Sequence, residues 1–190
     1  MSIAKEERQM TEKELVEGCI AGKRKCQNML YQRFAGMIMS ICLRYSNSKE
    51  EAEDVLQEVF VKIFLNLQCF RFESTLHYWI KKVTVNTLLV KLRKKEVEKI
   101  SISVDEVCEK MPFVAMKEDP AVPLDILMKM VQNLPIGYRI VFNMREIEGY
   151  ELQQIADELQ CTNATVRSQL FKAKAKLKQN IENWLKGEYK

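Results

Sequence analysis

The sequence predicts an all-α protein of two small helical domains joined by a flexible linker, with a helix-turn-helix in the C-terminal domain. Three observations carry this expectation. Apolar residues return every three or four positions along most of the chain, while strict alternation never lasts long enough for a strand. Only 6 of the 190 residues are glycine, so turn signals are sparse. The helical pattern lapses once, over 99–122, where Pro112 and Pro120 stand among acids and isolated apolar residues. A chain of 190 residues can hold one large domain or two small ones. The lapse divides it into 1–98, a linker at 99–122, and 123–190.

In chain order, Thr11 with Glu14 predicts a capping box for a first helix running through Cys19. Leu30, Phe34, Ile38, Ile41 and Tyr45 form the core-facing stripe of a second. Asn47 and Ser48 interrupt it, and Ser48 with Glu51 predicts another box. The third helix carries Glu50, Glu51, Glu53 and Asp54 early, where the helix dipole favours anions. Ala52, Val55, Leu56, Val59 and Ile63 face its core, and Asp54, Gln57, Glu58 and Val61 point elsewhere. After the loop "NLQCFRFES", Ser74 or Thr75 caps a long fourth helix reaching about Lys95. Pro123 suits the start of a helix over 124–133. Pro135 and Gly137 turn the chain into another that continues to Ile147 and ends at Gly149.

Charge is informative through its distribution. The net charge is only +4, yet 81–95 holds six cations and no acid, and a second basic island lies near 167–178. Between them, 96–119 holds seven acids and three cations. Two basic surfaces separated by an acidic segment suit a polyanion contacted at two places, and equally suit solvated helix faces. The six cysteines form no C-x-x-C pair, and one histidine cannot complete a usual zinc set, so no metal and no cofactor are expected. Most cysteines occupy positions for a small apolar residue, predicting buried free thiols. No P-loop, GxGxxG or Ser/His/Asp arrangement supports an enzyme. The charged N-terminus has no signal-peptide core and no run reaches membrane-span length, so a cytoplasmic protein with reduced thiols is expected.

The segment "QCTNATVRSQLFKAKAKL" concentrates the functional signal. Leu152, Ile155, Ala156 and Leu159 mark one short helix, Gln160 and Cys161 make a turn, and Thr162 caps the next helix. Val166, Leu170, Ala173 and Leu177 form its apolar stripe, leaving Arg167, Ser168, Phe171 and Lys172 outward or at the edge. Two short helices around a tight turn, the second basic outside, is the helix-turn-helix arrangement. Its cations suit phosphates, and Arg167 can read a guanine bidentately. Ser168 suits a base or a phosphate; Phe171 suits a thymine methyl or packing between helices. A basic amphipathic helix in any small bundle remains open on spacing alone. Gln160 stands where such turns often use glycine, so a positive φ there would be strained by roughly 1 kcal/mol.

These residues carry a family resemblance. "REIEGYELQQIADELQCTNATVRSQLFKAKAKLK" resembles the promoter −35-reading domain of bacterial sigma factors of the sigma-70 family. "AEDVLQEVFVKIF" resembles that family's core-polymerase-binding helix, and "FRFESTLHYWIKKVTVNTLLVKLRK" its −10-reading segment, with the Trp79 and Asn86 spacing intact. The resemblance covers roughly 12–97 and 123–180. The chain is too short for the additional domains of a housekeeping sigma factor, so it is similar to the compact extracytoplasmic-function (group 4) class. The resemblance implies a promoter-specificity subunit of RNA polymerase, not an enzyme, with a stand-alone helix-turn-helix regulator as the rival. It implies that Asp54, Gln57 and Glu58 dock on the coiled-coil of the polymerase's largest subunit, and that the flap is a second contact. It implies that the 66–71 loop captures a base flipped from the −10 element, with Asn66 and Gln68 bonding its edge. Arg71, Lys81, Lys82, Asn86, Lys91, Arg93 and Lys94 would serve −10 DNA, and Thr165, Arg167, Ser168, Phe171 and Lys172 the −35 duplex. Trp79 fits core better than a stacking platform, and His77 fits an ordinary surface or boundary position. The acidic linker would pass near the RNA exit path. Relatives of this class are often held by an anti-sigma factor covering both DNA-facing surfaces; a free chain without a long heptad seam would be a monomer. Two departures stand out: Phe72 occupies a common glycine position after Phe-Arg, and Val90 replaces an acid.

Overall fold

The computed structural model describes residues 10–96 and 122–187, with side chains up to Leu92 in the first stretch. The predicted linker, apart from Val122, lies outside the described residues, as does Cys108. Those described are helical with connecting turns and contain no strand. They fall into two compact units.

The first unit contains four helices. α1, Glu12–Ile20, opens with the predicted box: Thr11 Oγ1 accepts the Glu14 N–H at 3.2 Å, and the Thr11 N–H donates to Glu14 Oε2 at 2.9 Å. α2 is Arg24–Tyr45, and α3, Lys49–Asn66, starts at Ser48, whose hydroxyl accepts the Glu51 N–H at 3.2 Å. At that N-terminus the Glu50 carboxyl is held below its usual range by its own backbone N–H and then the Ser48 hydroxyl. α4 is Leu76–Glu96. Of the two candidate caps, Thr75 does the work, accepting the Tyr78 N–H at 3.2 Å. A second cap comes from far away in sequence: the Leu76 N–H donates to Glu12 Oε1 of α1 at 3.1 Å. Two of the orphan donors that begin any helix are thus satisfied.

The stripes predicted on α2 and α3 form this unit's core together with α4, except that Leu56, expected on the inner face of α3, is only half-buried. Leu30, Phe34, Ile38 and Ile41 of α2, Ala52, Val55, Val59 and Ile63 of α3, and Leu76, Ile80, Val85 and Leu88 of α4 are all buried. Each large apolar side chain so buried contributes about 1.5–3 kcal/mol. Thr84 and Thr87 are also buried, and each hydroxyl donates at 2.8 Å to a carbonyl one turn back, Ile80 and Val83. α1 lies against the unit through Leu15, Val16 and Cys19, and Gly18 allows the close approach: a Cβ there would fall 2.3 Å from Cys26 Sγ.

The second unit contains α5 (Leu124–Gln132), α6 (Ile136–Phe142), α7 (Leu152–Leu159) and α8 (Asn163–Leu185). Gly137 lies inside α6, contrary to the turn expected there; the turn is made before Pro135, whose missing N–H and fixed φ suit a helix start. Gly137 instead lets α8 come close, since a Cβ would sit 3.3 Å from Gln169 Oε1. The helix expected to reach Ile147 does so, but its last stretch, Asn143–Ile147, widens into a π turn. Gly149, at φ 76°, then reverses the chain as expected. Met130, Leu134, Ala173 and Leu177 form a core patch covered by Ile126, Leu127, Tyr138, Phe142, Ile181 and Trp184.

All five described cysteines are free, and Cys19, Cys26 and Cys42 are buried as expected. Cys69 departs from that expectation: it is exposed, in a turn rather than on a helix's inner stripe. Among the described residues no group of three or more His, Cys, Asp or Glu is placed to hold a metal, and no helix is long and apolar enough to cross a membrane.

Candidate functional site

Three surfaces are built from the residues singled out by sequence. The first is the α7–α8 pair. α7 ends with Gln160 in the left-handed conformation, φ 54° and ψ 43°. The Cys161 N–H bonds the Ala156 carbonyl at 3.0 Å and the Gln160 N–H that of Asp157 at 3.2 Å. This is the paired closure of a Schellman motif, normally given to glycine, so the expected strain is present. Thr162 caps α8 by accepting the Thr165 N–H at 3.1 Å. Asn163 Nδ2 donates to Gln153 Oε1 at 3.1 Å, fastening the start of α8 to α7. Val166, Ala173 and Leu177 anchor the inner stripe of α8.

On the outer side, Arg167 is exposed, while Thr165, Ser168, Phe171 and Lys172 are half-buried. The Thr165 hydroxyl lies 2.9 Å from that of Thr162. Phe171 and Lys172 line a shallow groove with Pro135 and Tyr138, so the Phe171 ring is partly committed to helix packing. The cations of α8 are not all uncompensated, as the sequence alone implies: Lys174 pairs with Glu146 at 2.9 Å and Lys178 with Glu182 at 4.0 Å. Glu146 comes from the π turn, distant in sequence, and Glu182 lies one helical turn beyond the basic run. Such exposed pairs hold with about 0–1 kcal/mol and yield to a stronger anion.

The second surface is the outer face of α3. Asp54, Gln57 and Glu58 are exposed, with Val61 and Leu65 on the same stripe at 57% and 68% exposure. Leu65 was not singled out from sequence, although its spacing from Val61 places it on this face. Glu58 already has a local partner, Lys62, at 2.9 Å. The face thus sets an acidic and amide edge beside exposed aliphatic side chains, unlike a uniformly polar solvated face.

The third surface is the loop after α3 with the adjoining helix. Asn66 Nδ2 donates to the Lys62 carbonyl at 2.8 Å, closing α3, and Leu67–Cys69 adds a single 3-10 turn. Asn66, Gln68 and Arg71 are all exposed on this short stretch. Phe70 is buried and its ring lies 5.6 Å from Trp79, which is half-buried rather than enclosed in the core as expected. His77 is exposed, its ring 6.3 Å from Phe34, a boundary position. Along α4, Lys82 is exposed, Lys81 and Lys91 are half-buried, and Asn86 is half-buried with its Oδ1 enclosed and unbonded. Arg93 and Lys94 belong to the end of α4, but their side chains lie outside the described residues. Val90 is exposed. Phe72, at φ 58°, has the backbone a glycine would adopt without strain, which accounts for glycine being common there.

Two all-helical units, one with a helix-turn-helix, define the architecture. Comparison with known families gives two matches in order along the chain: Sigma-70 region 2 over residues 30–97 and Sigma-70, region 4 over 124–177. The ECF RNA polymerase sigma-E factor of Haemophilus influenzae is 29% identical over 184 residues, covering 92% of this chain and 97% of that protein. The protein of that name in Escherichia coli K12 is 27% identical over 184 residues, covering 92% and 96%. The RNA polymerase sigma-H factor of Pseudomonas aeruginosa is 26% identical over 190 residues, covering 94% and 97%. Among solved structures, the Bartonella quintana sigma factor RpoE, in complex with the anti-sigma factor NepR, aligns with TM-score 0.53 at 18% identity, covering 80% of this chain and 94% of that one. CnrH, in complex with the cytosolic domain of CnrY, aligns with TM-score 0.50 at 16% identity, covering 88% and 95%. These structural likenesses bear on the fold.

The chain belongs to the sigma-70 family, in its ECF group. It is an RNA polymerase sigma factor; region 2 and region 4 occurring together leave the stand-alone helix-turn-helix regulator unfavoured.

Proposed function

We propose that this sigma factor binds core RNA polymerase through α3 and recognises a promoter with one unit at each element. In the first domain, 1–98, Asp54, Gln57 and Glu58 meet the coiled-coil of the polymerase's largest subunit, with Val61 and Leu65 adding apolar contact. Asn66, Gln68 and Arg71 take an unpaired base of the −10 element, while Lys81, Lys82, Lys91, Arg93 and Lys94 follow its phosphates. Asn86 stabilises that segment from a half-buried position. In the third segment, 123–190, Thr165, Arg167, Ser168, Phe171 and Lys172 serve the −35 duplex, and the flap of the polymerase holds the unit. The acidic segment 99–122 connects them. No catalytic group is required, because opening the duplex draws on binding free energy.

The observation that carries this function is the co-occurrence of the two family regions, in order, with an exposed mixed polar and apolar stripe on the region 2 helix. An anti-sigma factor is the proposed inhibitory partner, since both structural neighbours were solved with such a partner or with a cytosolic domain bound. The free factor acts as a cytoplasmic monomer. The test is run-off transcription: the chain, bacterial core polymerase and a promoter library are combined. Specific transcripts dependent on both proteins are expected. A chain that binds duplex DNA but never associates with core polymerase would refute the proposal.

A further inference from the structure

Phe72 breaks two local rules together. It is a non-glycine residue at φ 58°, and its ring is 45% exposed. A left-handed backbone disfavours any side chain, and a half-exposed phenyl gains little from burial. The other described non-glycine residue with positive φ, Gln160, closes a helix through paired backbone bonds. Phe72 lies two residues beyond the cap of the 3-10 turn and closes nothing of that kind.

What the strained conformation does is hold the ring. Phe72 and Phe70 lie with centroids 4.7 Å apart, and Phe70 lies 5.6 Å from Trp79. Phe70 is 6% exposed, and the three rings, tilted by 51° and 47° from one to the next, form a cluster fixed from beneath with Phe72 the exposed member. The exposed Gln68 and Arg71 share its loop.

We propose that Phe72 is a stacking platform for one unpaired base of the melted promoter strand. The proposal rests on the reading that this loop engages single-stranded −10 DNA. Every base offers a π face, so a phenyl ring held in place adds affinity without demanding a particular sequence. Asn66 and Gln68 supply edge contacts that discriminate, and Arg71 supplies a cation for a neighbouring phosphate. Because the ring is already ordered by Phe70, little freedom is lost on binding. Glycine at this position would relax the backbone and leave the stacking slot vacant.

The test uses holoenzyme, reconstituted with the full chain, and fork-junction DNA carrying an unpaired stretch of randomised sequence enriched on the wild-type complex. Affinity is measured for wild type, Phe72→Gly, Phe72→Leu and Phe72→Tyr, with core-polymerase affinity measured alongside. Expected are about tenfold weaker fork binding for Phe72→Gly and Phe72→Leu, near wild-type binding for Phe72→Tyr, and unchanged core affinity. Stacking is read independently by 2-aminopurine placed along the unpaired strand: quenching at one position in wild type and Phe72→Tyr, lost in the other two. Wild-type fork binding that Phe72→Gly or Phe72→Leu retains in full overturns the platform while leaving the loop's DNA role intact. A wild-type holoenzyme that gains nothing from the unpaired stretch overturns the underlying reading and the platform with it.

Discussion

Replacing Gly18 by alanine tests how the first unit is assembled. Gly18 is buried in α1, and a Cβ there falls 2.3 Å from Cys26 Sγ and 3.1 Å from Cys26 Cβ. Non-bonded heavy atoms settle at about 3.5–4.0 Å, so α1 must shift by about 1 Å or Cys26 must turn into an occupied core. Overpacking of this kind loses about 1–3 kcal/mol, while alanine in place of glycine in a helix returns up to about 1 kcal/mol. With the full gain, a net loss of up to about 2 kcal/mol follows. Cys26→Ala removes the sulfur and leaves the 3.1 Å Cβ contact, which a few tenths of an ångström relieve. The double variant should therefore be more stable than the sum of the single changes, with coupling of about 1–2 kcal/mol. The assay is urea unfolding in a Trp184→Phe background, where fluorescence reports Trp79 of the first unit. Additive single effects would refute the packing argument. The consequence extends to the proposed DNA surface: moving α1 withdraws Glu12 Oε1 from the Leu76 N–H, loosening the start of α4 beside the loop proposed to engage −10 DNA.

Three further outcomes are expected. Gln57→Ala or Glu58→Ala should weaken core-polymerase binding in titration while leaving folding stability within about 0.5 kcal/mol, since the Glu58–Lys62 pair is an exposed one; normal core affinity in both would remove that face from the interface. Arg167→Ala should lose about 1–3 kcal/mol of promoter-dependent binding and relax preference at one −35 position with core binding intact, and unchanged promoter use across several salt concentrations would show that Arg167 does not read DNA. In a Cys108→Ser background at pH 8, Cys69 should react rapidly with a thiol reagent and the buried Cys19 only on unfolding. Burial, then the nearby Cys26, pushes the Cys19 thiol from its ordinary 9.0 to about 11; ionisation is disfavoured in the fold, so its contribution is full below pH 9 and declines as pH rises through about 11. Fast native labelling of Cys19, or stability flat across that range, would contradict the assignment.

The helices were legible because their periodicity and caps are local. Thr11, Ser48 and Thr162 each act on an N–H three residues ahead, a relation written directly in the sequence. What escaped depends on partners distant along the chain. Glu12 capping α4, Glu146 pairing with Lys174 and Gln153 holding Asn163 have no sequence period, and only folding brings them together. Gly137 was misplaced because glycine after proline reads as a turn, whereas tight helix packing against Gln169 needs the same missing side chain. For the candidate surfaces, exposure separated residues that composition treats alike. Arg167 stands free at the surface while Phe171 is half committed to the groove beside Tyr138. On α3, Leu65 lies one turn beyond the outward Val61, so its face was legible in the spacing and only its exposure had to be read from the structure.

Phe72 and Gln160 share a backbone conformation, and that allows strain to be separated from side-chain function. Glycine at either position should relieve about 1–2 kcal/mol of left-handed strain, against about 0.4–1 kcal/mol from the greater freedom of the unfolded chain. At Gln160 nothing further is lost, because the Schellman bonds are made by the backbone N–H groups of Gln160 and Cys161. Gln160→Gly should therefore unfold at equal or slightly higher urea and keep its −35 duplex affinity. At Phe72 the same relief is accompanied by uncovering Phe70, so stability should change less, while binding to unpaired DNA should fall. If Gln160→Gly is clearly destabilised, the strain argument fails for both sites. If it gains stability but loses promoter activity, the Gln160 side chain contacts DNA, and a left-handed residue without glycine marks a recognition loop in each unit.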